Sequence, residues 1–324
     1  MRLWFCAASC AALVCLALSP VWADEIEVMA MGGGPGVSDQ IVDVLPQSAV
    51  MLSGVPTSSW TYGCSATSAG MIFGYYDRNG YGNMWGGGVA PLADLGNQTN
   101  MIATSAHVTD YWVQYQAVGP DPWEGNWAEH AWSTCTADYM GTNQWKWDYI
   151  GSDGVKDFNF DGSTALFTYS SAMVLYDYIP NAACGLPQTA LAHGMRLFVE
   201  SRGYQVAYSG GNYQVFTQKT DNQYVGGFTF AQYMAEIDAG RPVMVQVTNH
   251  SMVGVGYDVT GQIVYLHDTW GDYVAQMTWG GSYSGMDMQA ITCIHLVPIP
   301  EPATLSLLGM GIAVLLVYRR KRIG

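Results

Sequence analysis

Three residues carry the chemistry that this sequence offers: Cys64, His250 and Asp268. Cys64 lies in Tyr62-Gly63-Cys64-Ser65-Ala66-Thr67-Ser68-Ala69-Gly70-Met71, a glycine turn followed by a helix-forming run. A thiol in the first turn of a helix feels unpaired N–H groups and the positive end of the helix dipole. Both favour the thiolate, which is the nucleophile. His250 falls in a strand-like run far downstream, and Asp268 follows 18 residues later across a turn. Adjacent antiparallel strands bring such positions side by side. Sulfur, imidazole and carboxylate in that order suit nucleophilic attack on a carbonyl, provided the base reaches the thiol and a third group holds the base. The plain alternatives are a buried structural thiol for Cys64 and a satisfied core histidine for His250. His267 competes for the base role, but it adjoins Asp268, and strand alternation sends the two to opposite faces.

The elements that would position these residues can be read in order. Val55 to Trp60 is an extended lead-in containing Pro56. Cys64 to Tyr76 reads as a largely apolar, buried helix ended by the turn residues Asp77-Arg78-Asn79-Gly80. Before it, residues 24–50 show little pattern, and Gly32-Gly33-Gly34-Pro35-Gly36 reads as a flexible tether or loop. From Tyr81 to about Asp148 the chain is rich in Trp, Gly and Asn, with short helices expected over His107–Tyr115 and Asn126–Met140. A helix is expected from Ala190 to Arg202, ending at Gly203, and a strand over Tyr204–Tyr208. Thr229-Phe230-Ala231-Gln232 is a capping box that opens a helix to about Ala239. Strands follow at Val243–Val247, Ser251–Tyr257, Ile263–His267, Tyr273–Trp279 and Gln289–Val297. A helix-first half followed by an antiparallel sheet is an α+β pattern.

The two ends read as addresses. Arg2, an apolar stretch through Leu18 and a small residue at Ala23 describe a secretory signal over 1–23. At the other end Pro300-Glu301-Pro302 precedes an apolar run over 303–318 and the cluster Arg319-Arg320-Lys321-Arg322. At 1.5 Å per residue that run spans roughly 24 Å, slightly short of a hydrocarbon core of about 30 Å. The basic cluster would stay cytoplasmic, so the body faces outward. Without the ends, Lys+Arg falls from 12 to 7 and Asp+Glu from 26 to 25, a net charge of −18 instead of −14. Such an acidic body argues against nucleic-acid partners. Of seven cysteines, Cys64, Cys135, Cys184 and Cys293 remain in the body. Export permits disulfides, and Cys135–Cys184 is one option, though sequence does not fix connectivity. Cys293 reads as a small apolar residue of a core strand.

Other constellations are weaker. His107, His130, His193 and His295 show no zinc-site spacing, so no metal or other cofactor is expected. Asp157-Phe158-Asn159-Phe160-Asp161-Gly162 starts like a calcium loop, but its twelfth position is Thr168, without the bidentate carboxylate. Trp112, Trp123, Trp127, Trp132, Trp145 and Trp147 offer a sugar-stacking surface, or plain core and loop packing.

Three blocks of the body resemble the papain-like cysteine peptidases of the bacteriocin-processing (double-glycine leader) type. They are Gly63 to Met71 with Gly74-Tyr75-Tyr76-Asp77, Glu236 to Val243 leading to His250 through Tyr257, and Tyr265-Leu266-His267-Asp268-Thr269-Trp270-Gly271. The resemblance implies a papain-like domain over 51–297; whether its Trp/Gly-rich residues 81–190 form an insertion, a lid or part of the core stays open at the level of sequence. It implies Cys64 as nucleophile, His250 as base and acid, and Asp268 as imidazole orienter, acting on peptide or protein substrates. It also exposes a departure. The family's usual glutamine, six residues before the cysteine, is Ser58 here, and Gln47 is the nearest upstream glutamine. Ser58, Ser59 or the Trp60 indole then stand as second oxyanion donors beside the Cys64 N–H; losing one such donor can cost about 10²–10³ in rate. The tail over 298–324 resembles the PEP-CTERM sorting signal. That implies export, transient membrane anchoring, recognition by an exosortase at Pro300, Glu301 and Pro302, and delivery to the cell surface or extracellular matrix, where such proteins meet polysaccharide. The expected function is a surface-sorted cysteine peptidase. The alternative is a non-catalytic matrix or polysaccharide-associated protein that retains the scaffold; transamidation or amide hydrolysis on another substrate would use the same residues.

Overall fold

In the computed structural model, the described residues are 25–85, 101–110, 135–142, 162–180 and 190–298. The elements are, in order, β1 (Ile26–Met31), β2 (Val50–Met51), α1 (Cys64–Arg78), α2 (Ser105–Asp110), α3 (Thr136–Met140), β3 (Thr164–Tyr169), β4 (Leu175–Tyr176), α4 (Leu191–Ser201), β5 (Tyr208–Ser209), β6 (Asn212–Tyr213), β7 (Val215–Lys219), α5 (Phe230–Asp238), β8 (Val243–Val247), β9 (His250–Asp258), β10 (Ile263–His267), β11 (Ala275–Thr278), β12 (Ser282–Tyr283) and β13 (Met286–Ile294). The main sheet runs β11-β10-β9-β8-β13-β7-β4, with β2 on β9 and β12 on β13. Its pairings are antiparallel. The chain is thus of mixed α+β class with a large antiparallel sheet.

Alternation along the central strands of the main sheet feeds a core on each of its faces. Met244, Val253, Val255, Ala290 and Ile294 pack with α1, α3 and α4 on one face. Val243, Val245, Val247, Met252, Ile291 and Cys293 pack with α5 on the other. Successive strand residues point to opposite faces, so one strand feeds both layers. Helix α5 opens with the expected capping box: Gln232 N–H donates to Thr229 Oγ1 at 3.2 Å and Thr229 N–H donates to Gln232 Oε1 at 2.8 Å. Cys293 is buried in β13, as its apolar surroundings suggested.

The N-terminal part departs from expectation. Residues 24–50 read as a low-pattern lead-in, yet Ile26–Met31 pairs along its whole length with Thr164–Tyr169. The expected helix over His107–Tyr115 begins at Ser105, and that over Asn126–Met140 is described only as Thr136–Met140. The strand expected over Tyr204–Tyr208 is instead the short Tyr208–Ser209, with Val206 bridged to Leu296. Described parts of 81–190 join the body: α3 packs on α1 and α4, and β4 pairs with β7. The six tryptophans named above, the start of the calcium-like loop, Cys184, the signal segment and the tail lie outside the described residues. Among the described residues no helix is long and apolar enough to cross a membrane.

Candidate active site

Cys64 begins α1 because Gly63 permits the turn before it. Gly63 has φ +151°, and a Cβ there would stand 2.5 Å from Thr142 Cγ2 and 2.8 Å from the Gly162 carbonyl oxygen. Only glycine fits without displacing backbone. The helix that follows is buried on nearly every side, so its polar residues need partners inside the protein. They find them on β9: Ser65 Oγ lies 2.8 Å from Ser251 Oγ, and Ser68 Oγ donates to the Ser251 carbonyl at 3.1 Å. These bonds rivet the start of α1 to the start of β9. The Cys64 sulfur accordingly accepts from the Ser251 N–H at 3.4 Å.

His250 is the first residue of β9 and fully buried. Its Nε2 lies 2.9 Å from the main-chain carbonyl oxygen of Asp268. A carbonyl only accepts, so Nε2 carries the proton and Nδ1 presents a lone pair. Nδ1 has no hydrogen-bond partner among the described residues. Trp270 stacks on the ring, with centroids 4.8 Å apart. Burial lowers the imidazole pKa to about 4, against the smaller opposing effect of the Asp268 bond.

The expected imidazole orienter therefore meets the ring through its backbone. The Asp268 carboxylate is engaged elsewhere: Oδ1 accepts from the Trp270 N–H at 2.9 Å, and Oδ2 from the Tyr283 and Tyr273 hydroxyls at 2.6 and 3.0 Å. Burial pushes this carboxyl up, and the three donors pull it back. The side chain fixes the loop that carries Trp270, while the carbonyl holds the histidine. His267 has Nδ1 3.3 Å from the Pro56 carbonyl oxygen, and burial lowers it also to about 4.

The thiol differs from the activated one expected at a helix start. Cys64 is wholly buried, and burial raises its pKa despite support from the Ser251 and Gly33 N–H groups and the Ser65 and Ser251 hydroxyls. Desolvation of the anion outweighs these donors. No hydrogen bond joins the sulfur to His250; what the sulfur meets is the Met31 carbonyl oxygen, at 3.5 Å.

That contact belongs to a segment sequence reasoning left as a tether. Gly32 N–H donates to Asn249 Oδ1 at 3.1 Å and Gly33 N–H to the Asn249 carbonyl at 2.6 Å. The Trp60 indole donates to the Gly33 carbonyl at 2.6 Å, and the Trp270 indole to the Gly34 carbonyl at 3.1 Å. Of the three candidate oxyanion donors, Trp60 is the one whose N–H meets a peptide carbonyl of this segment. Ser58 Oγ donates to the Ser59 carbonyl at 3.1 Å. Asn249 and the indole of Trp270 were missed as peptide-holding groups. Their only advance signal was adjacency to His250 and Asp268.

Another cluster is the buried group His107, Cys135 and Asp138. His107 Nδ1 and Asp138 Oδ1 are 2.6 Å apart. Two ligands about 2.1 Å from one tetrahedral zinc would stand roughly 3.4 Å apart, so this is the spacing of a direct hydrogen bond.

Comparison with known families agrees with the two halves of this picture. Residues 186–290 match the Peptidase_C39 like family, and residues 298–322 match the PEP-CTERM protein-sorting motif. The first match spans His250 and Asp268 and starts well after Cys64. No curated protein and no solved structure matches the chain. The chain therefore carries a C39-like, bacteriocin-processing peptidase-like domain and a C-terminal PEP-CTERM motif. The motif marks an exported cell-surface protein sorted by an exosortase.

Proposed function

We propose that this protein is a papain-like cysteine peptidase, exported by its N-terminal signal and sorted to the cell surface, with Cys64 as nucleophile and His250 as base and acid. One observation carries the reading. The Cys64 sulfur, the lone pair of His250 Nδ1 and the Trp60 indole N–H all border a single stretch of peptide, residues 31–33. In the reaction the thiol proton passes to Nδ1 and sulfur attacks the substrate carbonyl carbon. The Trp60 and Cys64 N–H groups receive the developing oxyanion. Imidazolium then protonates the leaving amine as the C–N bond breaks. Water, deprotonated by Nδ1, hydrolyses the thioester and restores the thiol. Asp268 keeps Nε2 protonated through its carbonyl and holds the Trp270 loop through its carboxylate.

Peptide-library turnover by the purified protein tests this. Cys64→Ala should abolish turnover, and His250→Ala should lower it by about 10²–10⁴-fold, the usual worth of a general base. Unchanged turnover in Cys64→Ala would refute the assignment. The buried, protonated thiol favours a second reading, a non-catalytic surface protein that kept the scaffold and binds extracellular polysaccharide. Polysaccharide retention that survives Cys64→Ala, together with no turnover in the parent protein, would select it.

A further inference from the structure

What closes the site is the protein's own chain. Cys64 stands at a helix start beside a strand end, and its sulfur is wholly covered. The cover is the stretch from Met31 to Gly36, whose outer side is at the surface: Gly33 and Gly34 are half-buried, and Pro35 and Val37 are exposed.

Its grip is that of a peptide in a groove. Each contact described above is made to main-chain groups of the stretch: two amides held by Asn249 and two carbonyls held by the indoles of Trp60 and Trp270. Its side chains are equally telling. A Cβ on Gly33 would stand 2.6 Å from His250 Nδ1 and 2.8 Å from the Asn249 carbonyl oxygen, and one on Gly36 would stand 2.6 Å from the Trp270 ring. Glycine at these positions lets backbone press against the imidazole and the indole. The stretch is also tethered at both ends. Upstream, β1 is paired with β3, and Lys219 Nζ meets Glu27 Oε1 at 2.8 Å. Downstream, Gln276 N–H donates to the Gln40 carbonyl at 3.0 Å.

We propose that residues 31–36 are an autoinhibitory strap, a substrate-like piece of the protein's own chain that occupies the peptide groove in cis and shields Cys64 and His250. The proposal rests on the peptidase reading only in taking this groove as the site of reaction. With the strap seated, sulfur and imidazole are both dry and uncharged, which is the resting state their shifted pKa directions describe. Withdrawing it admits water and substrate to both at once. An activating event has to loosen the strap's main-chain hydrogen bonds and, at the upstream end, draw the buried Met31 side chain out of the core.

The test is alkylation of Cys64 by iodoacetamide near neutral pH in the full chain, mapped by mass spectrometry. Gly33→Val and Gly36→Val both force the strap off, from different points and outside the core. Each should speed Cys64 alkylation at least tenfold while the cooperative thermal transition persists. Equal rates in wild type and in a folded variant would overturn the proposal. Should Gly33→Val not fold, Gly36→Val decides by itself. The wild-type chain gives an independent readout: the Gly32 and Gly33 amides should show slow hydrogen exchange, and exchange at the rate of an open loop would overturn the strap. Peptide turnover is scored separately. Faster alkylation without turnover would leave the strap standing and remove the peptidase; wild-type turnover with no gain in alkylation would do the reverse.

Discussion

His250 and His267 are each held neutral by burial, with pKa lowered from 6.5 to about 4. The folded chain binds fewer protons here than the unfolded chain between those values. Their contribution to stability is therefore complete above pH 6.5 and is lost as pH falls toward 4. Each adds a slope of up to about 1.4 kcal/mol per pH unit in that window. Urea unfolding followed from pH 7 to pH 4 should show this loss, and His250→Gln should flatten it; an unchanged slope in the variant would mean that His250 is solvated in the fold. That Cys64 and His250 are candidates was legible in the sequence because their chemistry and order are local facts. Their charge states were not. A helix start argues for thiolate, but desolvation depends on what covers the sulfur, and the cover, Met31 to Gly36, lies well upstream of the helix. Asp268 makes the same point: the residue was foreseen, while its use of a main-chain oxygen toward the ring depended on Trp270, Tyr273 and Tyr283 claiming the carboxylate.

At the level of elements, α4, α5 and the strands from β8 to β10 follow the sequence pattern within a residue or two. Capping, glycine stops and alternation are short-range signals. Two changes probe them. Thr229→Ala removes the hydroxyl that receives the Gln232 N–H and should cost about 1 kcal/mol in urea unfolding. Gly63→Ala should cost more, about 1–3 kcal/mol, because its Cβ meets Thr142 and the Gly162 carbonyl. It should also slow Cys64 alkylation or turnover in a strap-displaced background, since the helix start moves with it. If Gly63→Ala matches wild type in both, the turn before Cys64 is less constrained than its φ of +151° implies. The strand β1 was illegible for a different reason. Ile26–Met31 pairs with Thr164–Tyr169, so the partner that makes it a strand is remote, and Gly32 to Gly36 downstream reads locally as a loop.

For the whole molecule, the proposed site and an export address share one chain. Deleting residues 298–324 should release the protein from the cell surface into the medium, measured by fractionation, while Cys64 alkylation and the thermal transition stay as in the full chain. Retention at the surface would mean that the body has its own anchor. The set of reactive residue types, their order along the chain, the α+β class and the sorting tail were all determined by the sequence itself, because each rests on composition or on contacts between near neighbours. Only the tertiary structure decided that the sulfur and the imidazole sit dry beneath a glycine stretch of the same chain. Solvation and main-chain contacts belong to no single segment; they arise where segments distant in sequence close over one another.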